Sequence, residues 1–178
     1  MNTVTPAARG ASKADAYKRI YGQLSELIQG ESDFLANAAN TVSLLFSTLP
    51  ELNWVGFYFL KGDQLVLGPF QGKPACSRIA LKNGVCGAAA TRRETVIVPD
   101  VNQFPGHIAC DTASKSEITV PLLNWGRLLG VLDVDSPVLN RFDEDDAEGL
   151  ESVMALFLSS LVTNDLPDFE ALARNANA

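Results

Sequence analysis

Apolar positions recur with helical spacing at the two ends of the chain and with strand spacing between them. Tyr17, Ile20, Tyr21, Leu24, Leu27 and Ile28 follow the i, i+3, i+4, i+7 rule and predict an amphipathic helix from Lys13, stopped by Gly30. Asp33 is placed to cap a second helix, with a stripe of Leu35, Ala38, Ala39, Val42, Leu45, Phe46 and Leu49 and a stop at Pro50. Residues 54–60 are aromatic and β-prone, and Lys61-Gly62-Asp63 turns them into a strand at 64–67. A third strand covers 76–81. Asn83-Gly84 then opens a short helix through Cys86, Ala88, Ala89 and Ala90, and a strand follows at 95–98. Strands at 117–123 and 127–135 flank Asn124-Trp125-Gly126 as a hairpin. The final helix starts at Asp143, where Glu144, Asp145 and Asp146 suit the helix dipole, and buries Leu150, Val153, Met154, Phe157, Leu158 and Leu161.

Two helices, a five- or six-stranded antiparallel sheet and a closing helix make one α+β domain. The 178 residues show no internal repeat or dividing linker; a polar tail over 1–12, a domain over 13–165 and a tail over 166–178 are expected. A formal charge of −7 disfavours nucleic acid and anionic membrane surfaces as partners. The longest apolar-leaning stretch, 34–50, is too short and too polar to span a bilayer, and residues 1–19 contain no signal-like apolar run. A cytoplasmic location is expected, where thiols stay reduced. The three cysteines are therefore not a disulfide scaffold. With no C-x-x-C, spacings of ten and twenty-four, and one histidine, no metal site is expected either.

Cys86, among alanines, reads first as a small buried hydrophobe. Cys110 differs, because it falls in the aperiodic segment 99–116, where backbone N–H groups can hold a thiol as the nucleophilic thiolate. His107 stands three residues earlier, but in a loop that spacing fixes no geometry. It reads as a loop-tying residue ahead of a base. Glu117 begins the next strand. Asp133 and Asp135, two apart on a strand, project from the same face. An exposed polar face is the ordinary reading of such a pair, yet Leu128, Leu129, Val131 and Val134 argue for burial on both sides. Acids near a thiol suit a cationic ligand, or a carboxyl kept protonated as a general acid. Trp54, Phe57, Tyr58 and Phe59 are core candidates, one of which is free to wall a pocket.

The run Phe104-Pro105-Gly106-His107-Ile108-Ala109-Cys110-Asp111, continuing through Ser114-Lys115-Ser116-Glu117 to Val120-Pro121-Leu122, resembles the free methionine-(R)-sulfoxide reductases, a GAF-domain family. Asn53-Trp54-Val55-Gly56-Phe57-Tyr58, Leu67-Gly68-Pro69-Phe70-Gln71-Gly72 and Gly130-Val131-Leu132-Asp133-Val134-Asp135-Ser136 carry the same resemblance, which spans about residues 17–162. It implies a GAF-type fold and reduction of free methionine (R)-sulfoxide, with Cys110 attacking sulfur and becoming a sulfenic acid. Glu117 with Asp135 resembles the family's acid and binding pair, Asp133 a position that helps hold the substrate ammonium, and Trp54 one that packs the terminal methyl. Cys76 resembles the resolving thiol, whose disulfide with Cys110 is reopened by thioredoxin, and Cys86 the auxiliary thiol of three-cysteine members. No bound cofactor is implied, and a homodimer is allowed. The R preference comes from the resemblance alone. The rival reading is a non-catalytic GAF module sensing a cyclic nucleotide or other small effector. Residues 140–146 match that signature only in part, with Ala147 in place of its final acid, and three acids ill suit a phosphate.

Overall fold

A computed structural model describes residues 12–107 and 111–161. Four helices and six strands are arranged in the order α1 (Lys13–Leu27), α2 (Phe34–Thr48), β1 (Trp54–Lys61), β2 (Gln64–Gly72), β3 (Arg78–Ala80), α3 (Gly84–Arg92), β4 (Val96–Val98), β5 (Ser116–Asn124), β6 (Arg127–Ser136) and α4 (Glu144–Ser159), with a short 3-10 turn at Val101–Gln103. The strands form one antiparallel sheet in the order β3-β2-β1-β6-β5-β4. The α+β expectation holds, with six strands. The segments 1–11 and 162–178, which include nearly all of the two expected tails, lie outside the described residues. Ser12, assigned to the tail from sequence, is the N-cap of α1 and accepts from the Asp15 N–H at 3.1 Å.

Strand alternation divides the interior into two cores. Val55, Phe57 and Phe59 of β1, Ile118, Val120 and Leu122 of β5, and Leu132 and Val134 of β6 face α1, α2 and α4. The intervening positions Trp54, Tyr58 and Val131 face α3 and the loops around it. On the helical side α1 lies against α4 so closely that a Cβ at Gly149 would stand 2.1 Å from the Tyr17 ring. Tyr21 and Leu35, expected in the buried stripes, are exposed: α1 packs against α4 and α2, and α2 against β1 and β2, along bands narrower than their apolar positions.

Strand β2 runs to Gly72, well past its expected end. Gly68 and Pro69 look like strand breakers, but they oppose Phe57 in a bulge of the β1–β2 ladder, and β3 covers only Gln64, Leu65 and Val66 on the other side. The missing proline N–H therefore leaves no ladder bond unmade. The predicted β5–β6 hairpin closes through Trp125-Gly126, both at positive φ as a type I′ turn requires, and holds the Trp125 ring 92% exposed.

Candidate active site

Pairing of β5 and β6 sets Glu117 opposite Asp135 and Thr119 opposite Asp133. All four side chains leave the sheet on the face away from the three-helix core, where α3 packs over them. On the other flank of β6, Asp133 is opposite Gly56. No side chain is tolerated there: a Cβ would fall 2.2 Å from the Trp54 indole, which folds across Gly56 and stacks between Tyr58 and Phe70 at centroid distances of 5.8 and 5.6 Å. The indole N–H donates to the Lys73 carbonyl at 3.1 Å. Tyr58 in turn donates to the Cys76 carbonyl at 3.0 Å, tying the β2–β3 loop to the wall of the site.

Glu117, Asp133, Asp135, Tyr58, Cys86 and His107 line a cavity of about 30 Å3. That is room for a water or two, too little to hydrate several carboxylates. Burial, reinforced by the charges of Asp133 and Asp135, pushes the Glu117 carboxyl well above the usual carboxylate range. Burial also raises Asp133 to about 6, against the opposing pull of hydrogen bonds from Glu117, Cys86, Thr119 and the Val134 N–H. Asp135, at the edge of the cavity, is raised by burial and by Asp133. The Cys86 thiol, buried and facing two acids, is pushed up and stays protonated at neutral pH. Among the described residues no lysine or arginine lines the cavity; the basic group is His107, whose Nε2 lies 3.8 Å from Glu117 Oε2. Its pKa is lowered by burial, so the ring is neutral near pH 7.

The donor atoms of Cys86, Glu117 and Asp133 converge within 4.8 Å, an arrangement that could approach a cation. Each is instead engaged inside the cluster. Thr119 Oγ1 donates to Glu117 Oε1 at 3.1 Å and lies 3.4 Å from Asp133 Oδ1, and Cys86 Sγ is 3.9 Å from Glu117 Oε1. Raised carboxyls and a raised thiol hold protons, so the group as it stands is a proton-sharing cluster.

Beside this cluster the loop after β4 is anchored by Asn53. Its Nδ2 donates to Ser114 Oγ at 2.9 Å and to Asp111 Oδ2 at 3.2 Å. Asp111 also accepts from the Ala113 N–H at 2.9 Å and from Lys73 at 3.2 Å, and these donors lower its pKa. Lys115 donates its N–H to the Ser136 carbonyl at 2.7 Å, which fixes the loop to the end of β6. The loop therefore returns to the sheet beside Asp135.

Of the residues singled out from sequence, the fold brings Cys86, Glu117, Asp133 and Asp135 together. Cys110 lies outside the described residues. Cys76 is half-buried in the β2–β3 loop, and Trp54 is buried behind Tyr58; neither is among the residues lining the cavity. Cys86 has the burial expected of a small hydrophobe, but its thiol faces carboxyls. His107 takes a place in the wall beyond tying the loop. Of the four aromatics offered as a pocket wall, Tyr58 is the one that lines the cavity. Thr119 was missed, although strand parity could have found it, two residues from Glu117.

A family model described as "GAF domain" matches residues 30–160. The chain is 46% identical over 160 residues to the free methionine-R-sulfoxide reductase of Escherichia coli, covering 90% of this chain and 97% of that protein. It is 42% identical over 159 residues to the free methionine-R-sulfoxide reductase of Saccharomyces cerevisiae, covering 85% of this chain and 88% of the other. The X-ray structure of free methionine-R-sulfoxide reductase from Neisseria meningitidis in complex with its substrate superposes with a TM-score of 0.85 at 42% identity, over 90% of this chain and 95% of that one.

Proposed function

This chain belongs to the GAF-domain family of free methionine-R-sulfoxide reductases, and from that membership we propose that it reduces free methionine (R)-sulfoxide to methionine, with Cys110 as the attacking thiol. It is an oxidoreductase acting on a sulfur group. The observation that carries the reading is a group of three carboxyls, Glu117 and Asp133 buried and Asp135 half-buried beside them, with no lysine or arginine lining their cavity among the described residues. A free amino acid brings its own cation. Asp133 and Asp135, once facing an ammonium, ionise and hold it, and Glu117 retains the proton that the sulfoxide oxygen needs.

The Cys110 thiolate attacks the sulfoxide sulfur while Glu117 delivers a proton to the sulfoxide oxygen. The sulfur–oxygen bond of the substrate breaks, methionine leaves as the neutral thioether, and the oxygen ends on Cys110 as a sulfenic acid. The Cys76 thiol then attacks the Cys110 sulfur, forming a disulfide and releasing water. Two electrons from a thioredoxin dithiol reopen it, so the electrons come from thiols and no bound cofactor is needed. Trp54, through its stack on Tyr58, stiffens the wall against which the terminal methyl packs.

The test is a single turnover without external reductant. Reduced protein mixed with free methionine (R)-sulfoxide should release one methionine per chain and lose two thiols, while the S epimer is left untouched. Methionine release without Cys110, or no loss of thiols at all, overturns the assignment; the second outcome is what a small-molecule sensor gives. Cys76→Ser should still release one methionine and then stall as the sulfenic acid when thioredoxin is the sole reductant.

A further inference from the structure

Glu117 has two oxygens with different surroundings. Oε1 is approached by two donors from different elements, the Thr119 hydroxyl of β5 at 3.1 Å and the Cys86 thiol of α3 at 3.9 Å. Oε2 has neither, and lies 3.8 Å from His107 Nε2 on the cavity wall. A protonated carboxyl accepts at its carbonyl oxygen and donates from its hydroxyl, so donors gathered on one oxygen favour the proton on the other, in competition with the hydrogen bond that Glu117 shares with Asp133. We propose that Thr119 and Cys86 are positioning residues that keep Glu117 Oε1 as the acceptor and place the acid's proton on Oε2, the oxygen turned toward His107. This assignment rests on the proposed reduction, in which Glu117 is the proton donor, and gives Cys86 a part in the first chemical step that needs no change in its oxidation state.

Thr119 is suited to this because it is fully buried, is β-branched on a strand paired on both sides, and sits between Glu117 and Asp133. A thiol is a weak donor, so Cys86 supplies the smaller share. The groups that bear on the titration of Glu117 are Asp133 and Asp135 from β6, Cys86 from α3, His107 from the loop after β4, and Tyr58 from β1. Removing the Thr119 hydroxyl takes a donor from the ionised form of Glu117. The pH at which the acid is lost must then rise.

The experiment compares Thr119→Val, which keeps the shape and loses the donor, with Thr119→Ser, which keeps the donor. Single-turnover methionine release at saturating substrate is measured across pH. Thr119→Val should lose about tenfold in plateau rate, the cost of one positioning hydrogen bond, and its alkaline limb should move to higher pH. Thr119→Ser should recover most of both. A merely structural role would leave the limb in place, so an unmoved limb, or a Ser variant as slow as Val, overturns the proposal. If Thr119→Val does not fold, Cys86→Ala against Cys86→Ser makes the same comparison, with the serine variant the faster. If the parent releases no methionine, the proposed reduction has failed. The positioning is then read from 13C-carboxyl resonances of substrate-free protein, where the Glu117 titration should move up in Thr119→Val and an unmoved titration overturns the inference.

Discussion

The molecule holds two acidic clusters built around buried carboxyls that have been given opposite treatment. At the start of α4, Asp146 is fully buried but meets Arg141 at 3.2 Å through both carboxylate oxygens, Lys13 at 2.5 Å and the Tyr17 hydroxyl at 2.9 Å. Asp143 caps the helix in a reciprocal capping box with Asp146. Its hydrogen bond with Lys13 and the Asp146 N–H lower its pKa. Across the sheet, Glu117, Asp133 and Asp135 have no such cation among the described residues, and all three are raised. The first cluster spends its charge on tying α1 to α4. The second keeps its carboxyls hungry for protons or for a cation that arrives with a ligand. Burial alone does not distinguish structural acids from chemical ones; the presence of a resident counter-charge does.

The largest expected effect tests the chemical side. Glu117→Gln should lose two to four orders of magnitude in methionine release at saturating substrate, roughly the range for a general acid, with little change in thermal stability. If the loss appears only in KM, Glu117 binds and does not donate.

Next comes the structural side. Asp146→Asn leaves Arg141 buried beside a neutral amide and should cost about 3 kcal/mol in urea unfolding. Turnover per folded molecule should be retained.

The same kind of change at Asp133 should go the other way. Its carboxyl has an ordinary value of 3.8 in solution and about 6 in the fold, so ionisation opposes folding, and the penalty grows as pH rises from about 4 to about 6. Asp133→Asn should therefore be more stable than the parent by about 3 kcal/mol at pH 7, and the advantage should vanish below pH 4. KM should rise, with a smaller fall in kcat. A destabilised Asp133→Asn at neutral pH would erase the contrast between the clusters.

The smallest effect belongs to Asp143, which is largely exposed. Asp143→Ala should cost about 1 kcal/mol through loss of the cap. Because the Asp143 pKa is lowered in the fold, that contribution is present at neutral pH and fades as pH falls through the folded value. Unfolding curves of parent and variant should converge in acid.

Periodicity was enough to place Asp133 and Asp135 on one face and to argue for burial of that face, because strand parity is a local property and Leu128, Leu129, Val131 and Val134 flank the pair. It was also enough for the helix caps at Asp33 and Asp143, where one side chain bonds to a nearby N–H. What it could not give was company. Cys86 reads as a spare methyl-sized group until α3 docks over β5 and β6 and turns its thiol to Glu117. Thr119 looks like any β-branched strand residue until register sets it opposite Asp133. The extension of β2 through Gly68-Pro69 needed the knowledge that β3 is only three residues long. In each case the missing information was which element lies alongside, a relation between segments far apart in the chain.

The chain has two tryptophans, and the fold sends them to opposite environments: Trp125 stands in water at the hairpin tip, while Trp54 is 2% exposed against Tyr58. Acrylamide or iodide should silence the emission of the first and leave the second. What remains is an intrinsic optical probe one aromatic ring away from the carboxyls, requiring no label. Stopped-flow fluorescence under quencher would then time the arrival of a small ligand at Tyr58 apart from any later thiol chemistry, using the protein with both indoles in place.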